Sequence, residues 1–547
     1  MPAMPGKTRC LLVLSLAVLV VALGSQTAAA TTFCVPTVAA CPGGTGVAKA
    51  DLEEAMGANG NDGQADVVYV GAGTYSEDGD FEPSGGSSTS FEPAGADPLT
   101  VIGAGVAETT LTSAANTNSY LVNFGYSTGK TITFRDLTIE APASFPDGLG
   151  TAIALYKDDT LEDVVLISFN DESDGVRAVS GTNTLRHLLV RGGGLEGSIQ
   201  DAISDDAGTT TVEDSTIEGA SWGLIASGAN AHLIARRVTE SATEVYGALA
   251  TAGLLDVENS VLQVDNGIGL YAGASSSDTV LTANHVTVVN TNGDDHPAME
   301  LKRFGSSPGD MTIDVSNSIL RGFGSGYKVD TVIGPGIGTA TLNARYSNFQ
   351  NTGTSSGSLD LATGNIDTDP LLLGDYSLPS NSPSVDAGDP AAGGLATDFL
   401  GAPRPNDGDG DGVAVRDQGA FEYQRPAPPK EEGGGGGGGS AGGGGSGGSG
   451  AGGGAGNGSE DTTPPQTTIA NGPGGKLAQG KAKFSLRSSE KGSSFVCKLD
   501  RGKAKPCVSP KAYKGLKPGA HTFKVWATDA AGNKDPTPAK RRFKVPA

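Results

Sequence analysis

Phe134-Arg135-Asp136-Leu137-Thr138-Ile139 is the stretch whose reading decides the fold: two polar residues set between alternating apolar ones. The pattern returns at Leu161 to Leu166, Leu185 to Val190, Val212 to Ile217, Val257 to Leu262, Ala283 to Val288 and Val315 to Leu320, with weaker copies around Arg237 and Tyr346. Its third position reads Asp136, Asp163, His187, Asp214, Arg237, Asn259, His285, Asn317 and Tyr346, at steps of 22 to 32 residues. A period in that range, with period-two alternation inside each unit and almost no helical periodicity, predicts a solenoid whose coils each lend strands to long parallel sheets. The expected fold is all-β, a right-handed parallel β-helix over residues 67–360. A second strand signal recurs between these positions, at Ala152 to Leu155, Gly175 to Val179, Ala202-Ile203, Gly223 to Ala226, Gly247 to Ala250, Gly267 to Tyr271 and Met299 to Leu301. The aligned polar positions are expected to be internal supports, hydrogen-bonded within the stack, so their His and Asp residues are not assigned to catalysis.

The ends of the chain differ in character from this body. Lys7 and Arg9, an uncharged run from Leu11 to Leu23 and Ala28-Ala29-Ala30 have the layout of a cleavable secretory signal over residues 1–30, and the apolar run is too short to span a bilayer. The mature chain is therefore expected to lack a transmembrane helix and to be secreted, extracellular or at a cell surface. Residues 31–66 read as an N-terminal cap, with a short amphipathic helix over Ala48 to Met56, because a solenoid leaves an unpaired apolar coil at each end. Beyond Cys10, four cysteines form two local pairs, Cys34 with Cys41 and Cys497 with Cys507. Four cysteines allow three connectivities, and the local one closes the shortest loops. In an exported protein such pairs favour disulfides over metal ligands.

Residues 361–424, rich in Asp, Pro and Gly, are expected to close the far end of the solenoid. Residues 425–463 read as a flexible linker, its run from Gly433 to Gly458 nearly all Gly, Ser and Ala, with a span of ~30 Å for about 30 residues. Residues 464–547 alternate in six or seven short runs, such as Lys483 to Leu486 and His521 to Ala527, and read as a small β-sandwich of immunoglobulin-like class. This last domain carries 18 Lys and Arg against four Asp and Glu, whereas the whole chain has a net charge of −23. The body is thus strongly acidic, which argues against nucleic acid as its partner.

Three resemblances follow from these residues. The repeating region over about 65 to 360 resembles the pectate-lyase-like right-handed β-helix superfamily, whose stacked Asn or Asp positions form hydrogen-bonded ladders; this implies fold and not function. Asp369-Pro-Leu-Leu, Tyr376-Ser-Leu-Pro, Ser382 to Gly388, Thr397-Asp398 to Arg404-Pro405 and Asp417 to Glu422 are similar to the closing segment of choice-of-anchor surface proteins. Phe495 to Asp500, Cys507 to Pro510, Gly519 to Phe523 and Ala527 to Asn533 resemble Ig-like domains of secreted actinobacterial proteins, which serve as spacers or binding modules.

Candidate chemistry is sparse. Asp407-Gly-Asp-Gly-Asp-Gly412 has the odd-position carboxylates of a calcium loop, although the twelfth position is Gln418 in place of the expected Glu and Asp417 stands one place early. Asp407, Asp409, Asp411 and Asp417 are thus the candidate ligands of a structural calcium ion. Six to nine residues beyond successive repeat positions stand Asp171, Glu196, Trp222, Glu244, Asp265 and Asp294; on one turn, neighbouring members would stack about 5 Å apart, near retaining-glycosidase spacing. Asn290 to Asp295 imitates the first acidic elements of polygalacturonases, but no His-Gly or Arg-Ile-Lys element follows. Trp222, Tyr246 and Tyr271 would offer apolar faces to sugars, and the Lys-rich last domain would attract anionic wall polymers. The sequence therefore favours an exported binding, adhesive or display protein directed toward carbohydrate, with a polysaccharide lyase, glycoside hydrolase or epimerase as the competing reading.

Overall fold

The computed structural model describes residues 30–425 and 464–545, apart from 59–62, 78–96, 114–119, 124–130, 142–150, 169–173, 193–198, 392–394, 472–474, 477–481, 489–492, 508–510, 529–532 and positions 244, 274–275, 294, 304, 332–333, 466 and 514. The proposed secretory signal and most of the Gly-rich linker lie outside the described residues. Each alternating stretch becomes a strand because every second side chain can then be buried against the coils above and below. Phe134, Leu161, Leu185, Val212, Ala235, Val257, Ala283, Val315 and Ala344 share one register and are all at most 1% exposed. Burial of one large member of this column contributes about 1.5–3 kcal/mol.

The body is a right-handed parallel β-helix of three sheets. The first runs from Thr32–Val35 and Asp66–Val70 to Ala340–Arg345 and Ser358–Asp360. The second runs from Gly73–Glu77 to Ile319–Arg321 and Asn348–Phe349, and the third from Tyr120–Asn123 to Ser325–Asp330 and Gly353–Ser355. Several strands run through a corner: Ile132–Glu140 and Thr160–Ser168 join the first sheet to the second, and Ile199–Glu213 and Ala220–Arg236 join the third to the first.

The corner between the first and second sheets is a single residue, and it is the repeat position in every case. Asp136, Asp163, His187, Asp214, Arg237, Asn259, His285, Asn317 and Tyr346 have φ of 45° to 58°. Five of the nine are Asp or Asn, the non-glycine residues that tolerate the left-handed region best. Their side chains stand on the outside of the solenoid, which corrects the expectation of internal supports: Asp214 is exposed, and Asp136, Asp163, His187 and Arg237 are half-buried. Turning the chain at one residue points that side chain outward and the next one inward. Leu137, Val164, Leu188, Ser215, Val238, Ser260, Val286, Ser318 and Ser347 fill the interior at this corner, each at most 2% exposed. The serine hydroxyls satisfy the tight turn by donating to the carbonyl two residues back, as from Ser215 to Glu213 at 2.8 Å, and accepting from the adjacent coil, as from Leu188 N at 3.0 Å.

At the N-terminal end, Leu52–Gly57 forms a helix whose first turn is capped by Asp51, accepting from Glu54 N at 2.7 Å. Leu52, Ala55 and Met56 enter the solenoid core. The helix starts later than expected because Val47–Ala48 pairs as a strand with Phe33 and Cys34. Residues beyond Ser358–Asp360 supply the last edge through the Asn348 to Ile366 bridge and then turn back along the flank. Tyr376 Oη donates to Gln263 at 2.9 Å, Ala420 N to Thr287 at 2.9 Å, and Asn259 Nδ2 to the Thr397 carbonyl at 2.7 Å. The segment thus covers the outer corner of the later coils, burying Asn259, His285 and Asn317.

The strands from Thr467–Asn471 to Ala539–Val545 form a second unit. A three-stranded and a five-stranded sheet share a core of Ile469, Phe484, Leu486, Phe523, Val525, Phe543 and Val545. Both local disulfides form, Cys34 to Cys41 and Cys497 to Cys507, with Cα atoms 5.3 and 5.7 Å apart. Two disulfides suit an oxidising compartment, and no helix among the described residues is long and apolar enough to cross a membrane.

Candidate functional site

The outer face of the third sheet gathers the groups best suited to chemistry. At the start of this sheet the chain kinks at a column of small residues. Gly223 shows why they are small: a Cβ there would lie 2.4 Å from the carboxylate of Glu240, a buried side chain of the second sheet. The kink turns the preceding residue outward. Stacked at that position on successive coils are Thr151, Asp174, Asp201, Trp222 and Tyr246. A second outward column, three residues on, carries Arg177, Ser204, Ile225, Leu249, Tyr271, Glu300 and Lys328.

The face divides into a polar and an aromatic half. Trp222 lies edge-on to Tyr246 with centroids 5.9 Å apart, and Tyr246 is tilted against Tyr271 at 4.8 Å, over Ile225, Leu249 and Ile268. Beyond them Glu300 receives Lys328 Nζ at 2.9 Å. On the other side Asp174 and Asp201 stand one coil apart, about 4.8 Å by the interstrand spacing. Arg177 beside them is held by Asp206 at 2.7 Å, and Ser227 donates to the other oxygen of Asp206 at 2.7 Å.

Burial is the main cause pushing Asp174 up to about 6 and Asp201 up to about 7; the proximity of Asp174 adds to the shift at Asp201, and Arg177 opposes both. Among the described residues, Oδ1 of Asp201 is shielded from solvent without a hydrogen-bond partner. Of two carboxyls one coil apart that titrate near neutrality, one can be protonated and donate to a hydroxyl while the other is ionised and accepts. Because both are raised, the stability they contribute is complete below the ordinary value of 3.8 and is lost as pH rises through about 6 to 7. Asp201→Asn is expected to flatten the fall in urea midpoint between pH 5 and 8; parallel profiles for variant and parent would refute this assignment.

Two members of the acidic stripe are among the described residues. Trp222 belongs to the third sheet, whereas Asp265 lies at the end of the second, accepting from Thr291 at 2.5 Å and Gln263 at 3.3 Å. Asp171, Glu196, Glu244 and Asp294 fall outside the described residues. Of the calcium candidates, Asp407 and Asp409 come together with Asp386, their carboxylate oxygens within 4.8 Å of one another. This all-oxygen set suits a hard cation. Asp411 instead accepts from Val413 N at 2.7 Å, and Asp417 is fully buried, accepting from Asp386 N at 2.7 Å and from Tyr423 N. Burial and the neighbouring Glu422 push Asp417 upward.

At the outer corner Arg237 makes a two-pronged pair with Asp214, at 2.8 and 2.9 Å. His285 lies under Asp417 and Gly419, where burial and the charges of Arg404 and Arg416 hold its imidazole neutral. Asp201 went unread in the sequence, although a signal for it exists: it directly precedes Ala202-Ile203, as Asp174, Trp222 and Tyr246 precede Gly175, Gly223 and Gly247.

No family model matches the sequence, nor does any curated protein. Among solved structures, the chain is similar to pectate lyase Pel9A, at 13% identity over 72% of this chain and 97% of that one with a TM-score of 0.34. It is also similar to the A-module of mannuronan C-5 epimerase AlgE6 from Azotobacter vinelandii, at 12% identity over 56% of this chain and 91% of that one with a TM-score of 0.30.

Proposed function

We propose that the outer face of the third sheet binds an extended carbohydrate, laid along the stack from Asp174 and Asp201 to Trp222 and Tyr246. The observation that carries this reading is the column itself, with two hydrogen-bonding carboxyls followed on the next coils by two aromatic rings. Sugar rings present hydroxyls at their edges and C–H surfaces on their faces, which are the complements of those two halves. The acidic charge of the body disfavours polyanions, so the ligand class is a neutral or amino-sugar polysaccharide. Export to the cell exterior, an Ig-like spacer at residues 464–547 and a calcium ion clasped by Asp386, Asp407 and Asp409 complete the reading of an adhesive or display protein.

One observation favours a second reading. Asp174 and Asp201, on strands about 4.8 Å apart and with raised pKa values, are a candidate acid and nucleophile pair of a retaining glycoside hydrolase. Affinity electrophoresis through gels containing neutral, amino-sugar and acidic polysaccharides separates these outcomes. Retention in a neutral or amino-sugar gel, weakened at least tenfold (about 1.4 kcal/mol) in Trp222→Ala, is the expected result. Retention unchanged in both Trp222→Ala and Tyr246→Ala would remove this face from the binding site. New reducing ends that disappear in Asp201→Asn would convert binder into hydrolase.

A further inference from the structure

A different surface, the outer corner of the early coils, holds a donor set that the carbohydrate reading does not use. Glu162, Asp163 and His187 each present a ligand atom there, all three within 4.8 Å of one another. Asp163 and His187 occupy the left-handed corner on consecutive coils, with φ of 53° and 54°, so both side chains leave the solenoid at the same point. Glu162 precedes Asp163 on the outer face of the first sheet.

Two further observations point to a ligand. Among the described residues, His187 Nδ1 is shielded from solvent and makes no hydrogen bond, while its distance to Asp163 Oδ1 is 3.5 Å. That is long for an N–H···O bond. Two ligands of one tetrahedral ion at bond lengths of about 2.0–2.1 Å stand roughly 3.3–3.4 Å apart, which this separation nearly matches.

The second observation is a break in a charge ladder. Along the stack, the residue before each corner reads Arg135, Glu162, Arg186, Glu213, Arg236 and Glu258. Arg186 pairs with Glu213 at 3.2 Å, and Arg236 with Glu213 at 3.8 Å and with Glu258 at 2.9 Å. Arg135 turns to Asp136 at 3.8 Å. Among the described residues, Glu162 is in no ion pair, although an arginine stands on each side of it. Its carboxylate faces Asp163 and His187 instead.

We propose that Glu162, Asp163 and His187 bind a divalent transition metal of the zinc class. One imidazole and two carboxylates suit zinc or cobalt better than calcium, which takes oxygen ligands alone. His187 also lines a cavity of about 370 Å³ walled by Asp214, Ser215, Thr216, Arg237, Thr239 and Phe399. A metal held by three protein groups keeps a coordination position for water or a further ligand.

The test is a Co²⁺ titration of the full chain without a polyhistidine tag, followed by visible d–d absorption and repeated with Zn²⁺ by calorimetry. One Co²⁺ per chain is expected, with affinity lowered at least tenfold in His187→Asn and in Asp163→Asn. Both variants should fold, because asparagine already occupies the same left-handed corner at Asn259 and Asn317. Glu162→Gln, at an ordinary strand position, provides a third variant independent of the corner. Asp409→Asn should leave the band unchanged. Absence of the band in the parent chain, its persistence at full affinity in all three site variants, or its loss in Asp409→Asn would each overturn the proposal.

Discussion

Arg404→Met is expected to destabilise the body by about 3–5 kcal/mol. The side chains of Arg404 and Glu422 are both 0% exposed and meet at 2.8 Å. The same guanidinium donates to Asn259 Oδ1 at 2.8 Å and to the Gly419 carbonyl at 3.1 Å, tying the back-folded segment to the corner of a coil far away in sequence. Burial is the first influence on both partners, lowering the Arg404 pKa and raising that of Glu422. The pair is therefore held against its desolvation cost by geometry. Removing only the cation leaves Glu422, with Asp398 and Asp417 nearby, in a site that water cannot reach. Residues 366–425 should then become the first segment cut in limited proteolysis, and the urea midpoint should fall. Arg404→Met combined with Glu422→Gln should recover part of the loss, since no uncompensated charge remains. An unchanged midpoint in the single variant would show that this pair does not hold the segment.

Gly208→Val is expected to cost a comparable amount for a different reason. Gly208 has φ of +98°, and a Cβ there would lie 2.1 Å from the Gly181 carbonyl oxygen and 2.7 Å from its nitrogen. Gly181 itself has φ of +94° and accepts from Thr209 N at 2.7 Å, so the corner between the third and first sheets closes by backbone against backbone. The left-handed conformation adds roughly 1–2 kcal/mol for a residue with a Cβ, and forcing the coils apart about 1–3 kcal/mol more. Gly336→Ala is the control: its φ is +77°, but nothing lies within 4 Å of the added carbon, so only the first contribution applies. Equal changes in melting temperature for the two variants would show that close packing of the coils is not what makes Gly208 necessary.

The two substitutions fall on opposite sides of what the sequence discloses. Gly208 lies between recognisable strand signals, and its need for a small residue follows from the spacing of coils. The pairing of Arg404 with Asn259 joins positions that no periodicity relates. The same division holds for the candidate sites. Trp222 and Tyr246 were legible as aromatic residues beside a strand signal, whereas their alignment with Asp174 and Asp201 depends on the kink at the small-residue column. The calcium motif reads as one loop, yet Asp386 joins Asp407 and Asp409 from outside it, while Asp417 is drawn under the segment by backbone amides of Asp386 and Tyr423.

By itself the sequence determined the period, the alternation and therefore the parallel β-helix, because hydrophobic periodicity and turn-tolerant residues are properties of consecutive positions. It also marked the repeat position, without revealing that this position is a left-handed corner whose side chain faces outward. Tertiary structure alone decided which polar groups meet, since repeats of unequal length let the strands stay in register while their turns do not. Juxtapositions such as Asp174 beside Asp201 and Glu162 near His187 are set by that stacking, and the pairing of Arg404 with Asn259 by the segment that folds back along the flank. The nine-fold pattern is thus a record of how the chain turns, and the chemistry lies on the outward faces those turns create.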